Sequence, residues 1–124
     1  MKLAHNLVLG LHRAVLAEGL AFAEAVGIEP GEALRILADT PAASAVMGTK
    51  GPRMVHCEFE PQARLAQHLK DVRLILAESQ RANCNTPLSQ LHQSVLETAV
   101  GLGLGDSDNS AIIEVFRKSR ESQE

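Results

Sequence analysis

Apolar residues recur at intervals of three and four in every long stretch of this chain, and no segment keeps an apolar/polar alternation for more than a few positions. A chain with that patterning can bury its apolar surface only by packing helix against helix, so the sequence predicts an all-α fold with no sheet. Composition agrees. Aromatics are only 2%, three Phe with no Trp or Tyr, so the core must be built from Leu, Val, Ile and Ala. The 124 residues suffice for one domain, which at this size buries roughly 67% of its unfolded surface.

The spacing predicts a long first helix from Met1 to Val26, with Leu3, Leu7, Leu11, Ala14 and Val15 on its apolar stripe and Lys2, Asn6, His12 and Arg13 off it. Gly27 ends it, and Pro30 opens a short second helix reaching about Ala38. Ser44 can cap one further turn. The breakers Gly48, Gly51 and Pro52, ahead of Pro61, mark residues 48–61 as a loop. A second long helix follows from Gln62 to about Ala82, carrying Leu65, Leu69, Val72 and Leu76. Thr86 and Pro87 then form an N-cap and N1 pair for a third, with Leu88, Leu91, Val95, Leu96 and Ala99 as its apolar set. Gly101, Gly103 and Gly105 stop it. A last helix from about Asp108 to Arg120 buries Ile112, Val115 and Phe116. The expectation is about five helices, three of them long, as one domain over residues 1–118 with a polar tail over 119–124.

Several functions are excluded or weakened by the same residues. A net charge of -3 with interspersed signs offers no basic stripe for phosphates, and the scarcity of aromatics removes stacking platforms, so nucleic acid is not an expected partner. His5, His12 and Arg13 interrupt what a signal peptide would need as an apolar run, and the reading is a soluble, cytoplasmic protein with no membrane association. Cys57 and Cys84 are too few for a disulfide framework or a four-cysteine zinc site and are read as reduced thiols. The glycines at 101, 103 and 105 lack the third fingerprint glycine, since Asp106 stands there, and a helix rather than a strand precedes them. Asp106, Asp108 and Ser110 begin like a calcium loop, but Ala111 occupies the turn-glycine position and Arg117 that of the bidentate Glu. Capping of the last helix by Asp106, Ser107 or Asp108 explains them. His56 beside Cys57 has no third ligand at helical spacing, and no metal site is expected. His5, His12, His68 and His92 read as partly exposed single helix residues.

Two pairs remain. Lys2 and Asn6 stand one turn apart, so an ammonium and a carboxamide can face one small space; Lys70 and Asp71 lie mid-helix on the polar side. By spacing alone either pair is a solvated face or a site. The segments KLAHN, LAEGLAFAEAVGIEP, GPRM with the following FEP, HLKDVRLILAES and GLGDSDNSAII, in this order, resemble the C-terminal helical domain of the β-hydroxyacid dehydrogenase family. These are the 3-hydroxyisobutyrate dehydrogenase-like enzymes related to 6-phosphogluconate dehydrogenase, and the resemblance covers about residues 2–118. It implies a fold like the 6-phosphogluconate dehydrogenase C-terminal domain. It further implies that Lys2 is the catalytic proton donor and acceptor at a substrate hydroxyl, that Asn6 holds substrate, and that Lys70 and Asp71 face the cofactor side of the cleft, with Asp71 mainly structural. A lysine at position 2 points to alcohol oxidation or aldehyde reduction rather than to the related imine reductases. The family's cofactor, NAD or NADP, is bound by a dinucleotide-binding half that does not occur in these residues. The chain alone is therefore expected to bind no cofactor and to be inactive. The resemblance also implies subunit contacts, and the face of Leu3, Leu7 and Leu11 is the expected homodimer surface, with the nucleotide-binding domain supplied in cis or in trans. The alternative reading is a free-standing helical oligomerisation or partner-binding protein derived from that domain, without catalysis.

Overall fold

A computed structural model describes residues 1–122. It contains α1 (Lys2–Ala25), α2 (Pro30–Leu37), α3 (Ala45–Thr49), α4 (Gly51–His56), α5 (Leu65–Arg81), α6 (Pro87–Gly101) and α7 (Ile113–Ser122), the last entered through a 3-10 turn over Asn109–Ile112. Among the described residues there is no strand, only an isolated bridge between Arg64 and Asp108. The all-α expectation and its three long helices are what the structure contains. The last helix continues to Ser122, into the segment expected as a polar tail, whose final residues 123–124 lie outside the described residues.

α1 is the element the others pack on, touching α2, α3, α5, α6 and α7. Its end is chemically defined. Gly27 takes φ +95°, letting its amide reach the Glu24 carbonyl at 3.1 Å and the Ile28 amide reach that of Ala23 at 2.9 Å, which satisfies carbonyls the helix end would leave open. α2 starts at once: the Glu29 carboxylate accepts from the amides of Gly31 and Glu32, with Pro30 at N1. At the far end of the chain, Arg117 on α7 donates to Glu24 of α1 at 3.1 Å and to Glu114 at 2.9 Å.

Residues 48–56, expected as part of a loop over 48–61, belong to α3 and α4 and the turn between them; only residues 57–61 are irregular. Lys50 joins α3 to α4 by donating to the Val46 carbonyl and accepting from the Met54 amide. Pro52 stands in the first turn of α4, where no amide is required. Gly51 serves packing rather than breaking: a Cβ there would lie 2.7 Å from Leu34 Cδ1, so its absence lets α4 approach α2. The chain leaves α4 through Cys57, at φ 54°.

The buried faces of α1 and α6 are rotated from those expected. α1 turns Gly10, Arg13, Leu16, Ala17, Leu20 and Ala23 inward. Leu3, Leu7, Leu11 and Ala14 are only half-buried, and Val15 is 68% exposed. Small residues decide this, because Gly10 and Ala17 admit neighbouring helices closely where a stripe of Leu and Val would hold them off. On α6 the inward residues are Ser89, His92, Leu96 and Ala99, while Leu88 and Leu91 face solvent. Thr86 does stand before α6, but its hydroxyl pairs with that of Ser79 at 2.9 Å instead of capping the helix, and Ser44 makes no capping bond. The core gathers Leu16 and Leu20 with Leu65, Leu69, Val72, Leu96, Met54, Val46, Ile112 and Ile113. Val115 and Phe116 are only partly buried at its edge.

Candidate functional site

A cleft of about 200 Å³ opens between the N-terminal half of α1 and the start of α5. Asn6, Leu9 and Arg13 come from one face of α1, at helical spacing. Gln67, His68 and Asp71 face them from α5, with Ala63 and Arg64 from the preceding segment and Asn109 from the 3-10 turn.

The wall behind this cleft is organised by Asp108, which is fully buried. Its Oδ1 accepts from the Gln62 amide at 3.0 Å, the Ala63 amide at 3.1 Å and Lys50 Nζ at 3.1 Å. Its Oδ2 accepts from Lys50 Nζ at 3.0 Å, the Ser110 amide at 3.1 Å and the Ser110 hydroxyl at 2.5 Å. Arg53 Nε approaches Oδ2 at 3.5 Å as a charge pair without hydrogen-bond geometry. Burial works to raise the carboxyl, but the bonds from Ser110, Lys50 and the Ser110 and Ala63 amides outweigh it and hold Asp108 well below the ordinary carboxylate range. The expected capping role is thus real, since Asp108 caps the 3-10 turn, but it is one part of a buried hub.

His68 and His92 are buried rather than partly exposed. Their rings meet at a centroid distance of 5.2 Å. Gly10 makes room for them: a Cβ there would stand 2.4 Å from His68 Nε2 and 3.2 Å from His92 Cε1. Burial, then the Arg13 charge and His92, hold His68 down to about 3; burial and Arg13 hold His92 to about 4. Both are neutral imidazoles at pH 7. Arg13, expected on the polar side, is 7% exposed, and its Nε and Nη1 have no hydrogen-bond partner. Burial lowers its pKa while the Asp108 charge works against that.

The four residues singled out from the sequence are partly brought together. Asn6 and Asp71 line the same cleft, 65 positions apart in the chain. Lys2 is exposed one turn before Asn6 on the same side of α1, and Lys70 is exposed beside Asp71. His56 and Cys57 are both exposed, with Arg117 Nη1 3.6 Å from the Cys57 sulfur. Among the described residues no three His, Cys, Asp or Glu side chains gather as a metal set. Arg13, Lys50, His68, His92 and Asp108 escape sequence reasoning because five segments distant in sequence assemble them: α1, the α3–α4 junction, α5, α6 and the entry to the 3-10 turn. The one available signal is the spacing of Arg13, seven after Asn6 and eleven after Lys2, which continues their helical face.

The chain belongs to the family whose model is described as "NAD-binding of NADP-dependent 3-hydroxyisobutyrate dehydrogenase", which matches residues 1–116. It is 30% identical to glyoxylate/succinic semialdehyde reductase 2 of Arabidopsis thaliana over 98% of its own length and 35% of that protein. It is also 31% identical to the cytokine-like nuclear factor N-PAC of Aedes aegypti, over 90% of this chain and 20% of that one. The crystal structure of 3-hydroxyisobutyrate dehydrogenase from Salmonella typhimurium superposes with a TM-score of 0.89 at 24% identity, over 92% of this chain and 40% of that one, and so shares the fold. The chain spans about a third to two-fifths of the length of these two enzymes.

Proposed function

We propose that this chain is the C-terminal substrate and dimerisation domain of an NAD(P)-dependent dehydrogenase that interconverts a small hydroxy acid and its aldehyde or keto form. The observation that carries the reading is the meeting of Asn6 and Asp71 at one cleft, with Lys2 a turn away on the same side of α1. A carbinol carbon that gives up hydride must also release its hydroxyl proton, and the bound nicotinamide supplies the hydride chemistry. Lys2 takes that proton in oxidation and returns it in reduction. Asn6 orients the substrate, and Asp71 and Lys70 form the edge nearest the cofactor. In this reading the dinucleotide pyrophosphate is held by a separate nucleotide-binding half, and turnover requires both halves. Lys2→Ala in the full protein abolishes turnover while cofactor still binds; retained turnover would overturn the proton-transfer role.

We also place the protein in the cytoplasm, with both cysteines reduced and exposed. α1 is long and apolar enough to cross a membrane by length and composition alone, but its Leu16, Ala17 and Leu20 are committed to the core. Dimerisation is favoured by exposed Val8, Val15 and Phe22, spaced seven apart along α1, rather than by the half-buried Leu3, Leu7 and Leu11. The same stripe favours the second reading, a non-catalytic oligomerisation module. A reading frame that runs without a stop upstream of Met1 into a GxGxxG segment supports the enzyme, and a stop there supports the module. Sedimentation tests the dimer in either case, a monomer at high micromolar concentration counting against it.

A further inference from the structure

The interior beside the cleft carries more positive charge than its acids match. Arg13, Lys50 and Arg53 stand near Asp108, the one fully buried carboxylate among the described residues. Its lone pairs are already taken by Lys50, Ser110 and the Gln62 and Ala63 amides. Arg13 therefore feels its field but makes no bond to it. A guanidinium that is buried without an acceptor loses its water and gains nothing in return, a cost of several kcal/mol in general. Asn109, 4% exposed, likewise keeps a buried Oδ1 without a partner on the same cleft. Arg13 Nε and Nη1, Asn109 Oδ1 and His68 Nε2, also without a partner, belong to residues lining one cavity of about 200 Å³; Arg53 Nε, likewise unpaired, stands behind it at Asp108.

We propose that this inner end of the cleft is a carboxylate subsite, in which Arg13 holds the carboxylate of a small organic acid and Asn109 accepts from a hydroxyl of the same molecule. The planar fork of donors on Arg suits a carboxylate better than a point charge would. The volume admits a carboxylate on a short carbon chain and falls below the range of about 300–1,000 Å³ that takes larger ligands. Asp71, half-buried at the same cleft, repels a second carboxylate held inside it, so the subsite takes one charged end and the other end of a dicarboxylate such as succinate points out to solvent. Arg13 follows Asn6 by seven residues, about 10 Å along the axis. The carboxylate is thus held remote from the reacting carbon near Lys2, and Arg13 is a specificity residue rather than a catalytic one. This assignment rests on the reading of the cleft as a substrate site, and its test is one of binding that needs no turnover.

Thermal unfolding of the full protein is followed with succinate, inorganic phosphate and chloride at matched ionic strength. Succinate raises the midpoint in the wild type and fails to do so in Arg13→Met, which keeps the side-chain volume and removes the charge. A response to phosphate but not succinate, no response to either, or an undiminished response in Arg13→Met each overturns the proposal. Should Arg13→Met fail to fold, the wild-type imidazole signals decide: succinate shifts those of His68 and His92, which feel the Arg13 charge, in a saturable way, and their indifference overturns the assignment. Where turnover is measurable, Arg13→Met lowers the preference for a four-carbon aldehyde bearing a terminal carboxylate over butanal by about 10- to 100-fold, the value of one charged hydrogen bond. If the full protein turns nothing over, or Lys2→Ala keeps turnover, the reading of the cleft as a catalytic site fails while the succinate result still stands or falls by itself.

Discussion

Asp108→Asn tests the physical account of the cleft wall most directly, because the substitution keeps shape and removes charge. In the wild type the carboxylate satisfies the Lys50 ammonium through both oxygens, the Ser110 amide and hydroxyl, and the amides of Gln62 and Ala63. An Asn oxygen in the Oδ1 position keeps the Gln62 and Ala63 bonds. Its NH2 group then points at the Lys50 ammonium and the Ser110 amide, donor against donor, and Lys50, itself 8% exposed, loses its counter-charge. Breaking a buried pair from one side costs about 3–5 kcal/mol, a large share of the roughly 5–15 kcal/mol that holds a domain folded. Urea unfolding followed by far-UV circular dichroism should show the midpoint falling by on the order of 2 M with little change in slope. The pH dependence has a defined sign. The folded pKa of Asp108 lies below its ordinary value of 3.8, so the unfolded chain binds the proton more readily. The stabilisation is complete above about pH 5 and is lost as pH falls through the ordinary value toward the folded one. The gap between wild type and Asp108→Asn is therefore flat near neutrality and narrows on acidification, by at most about 1.4 kcal/mol per pH unit. A cost under about 1 kcal/mol, or a gap that widens in acid, would refute the hub.

Gly10→Ala places a Cβ 2.4 Å from His68 Nε2; overpacking of about 1–3 kcal/mol exceeds the roughly 1 kcal/mol gained in helix propensity, so a lowered melting temperature is expected and a raised one would show that the ring moves freely. Leu20→Ala, at a fully buried position of α1, should cost about 2–5 kcal/mol in the same urea assay, and a loss below about 1 kcal/mol would place the core elsewhere. Lys2→Ala, assayed with a small hydroxy acid in the full protein, should remove turnover without removing cofactor binding, since an exposed first-turn residue contributes little to the fold. Arg13→Met should lose the succinate-dependent thermal shift while its melting temperature without ligand stays close to the wild type, because an apolar replacement of an unpaired buried charge is neutral or favourable.

What the sequence discloses and what it hides divide along one physical line. The long helices are legible because periodicity and the stops at Gly27 and Gly101 are local, and Gly27 indeed takes positive φ. Lys2 and Asn6 are legible as a pair for the same reason. The facing of α1 is not, because Gly10 and Ala17 have no apolar signal of their own and matter only through what they let approach: a stripe read by hydrophobicity selects Val15, which the fold leaves outside. Gly51 and Pro52 read as breakers, yet one permits contact with Leu34 and the other sits where helices tolerate proline. His68 and His92 look like surface residues until α1 and α6 are laid against α5.

The Asp108 hub and the cleft are one construction. Gln62 and Ala63, whose amides Asp108 binds, lead directly into Leu65 at the start of α5, and the Leu65 amide is held in turn by the Ser107 carbonyl at 2.9 Å. The next turn of α5 carries Gln67, His68 and Asp71 to the cleft, and Asn109, adjacent to Asp108, closes it from the other side. A single carboxylate thus sets where α5 begins and therefore where Asp71 stands relative to Asn6. Loosening it would move one wall of the cleft against the other without replacing any residue that lines it. Asp108 is accordingly a positioning residue: in the full protein a variant there that still folds should weaken binding in the cleft of charged and neutral ligands alike, whereas Arg13→Met should weaken selectively the ligand that bears a carboxylate.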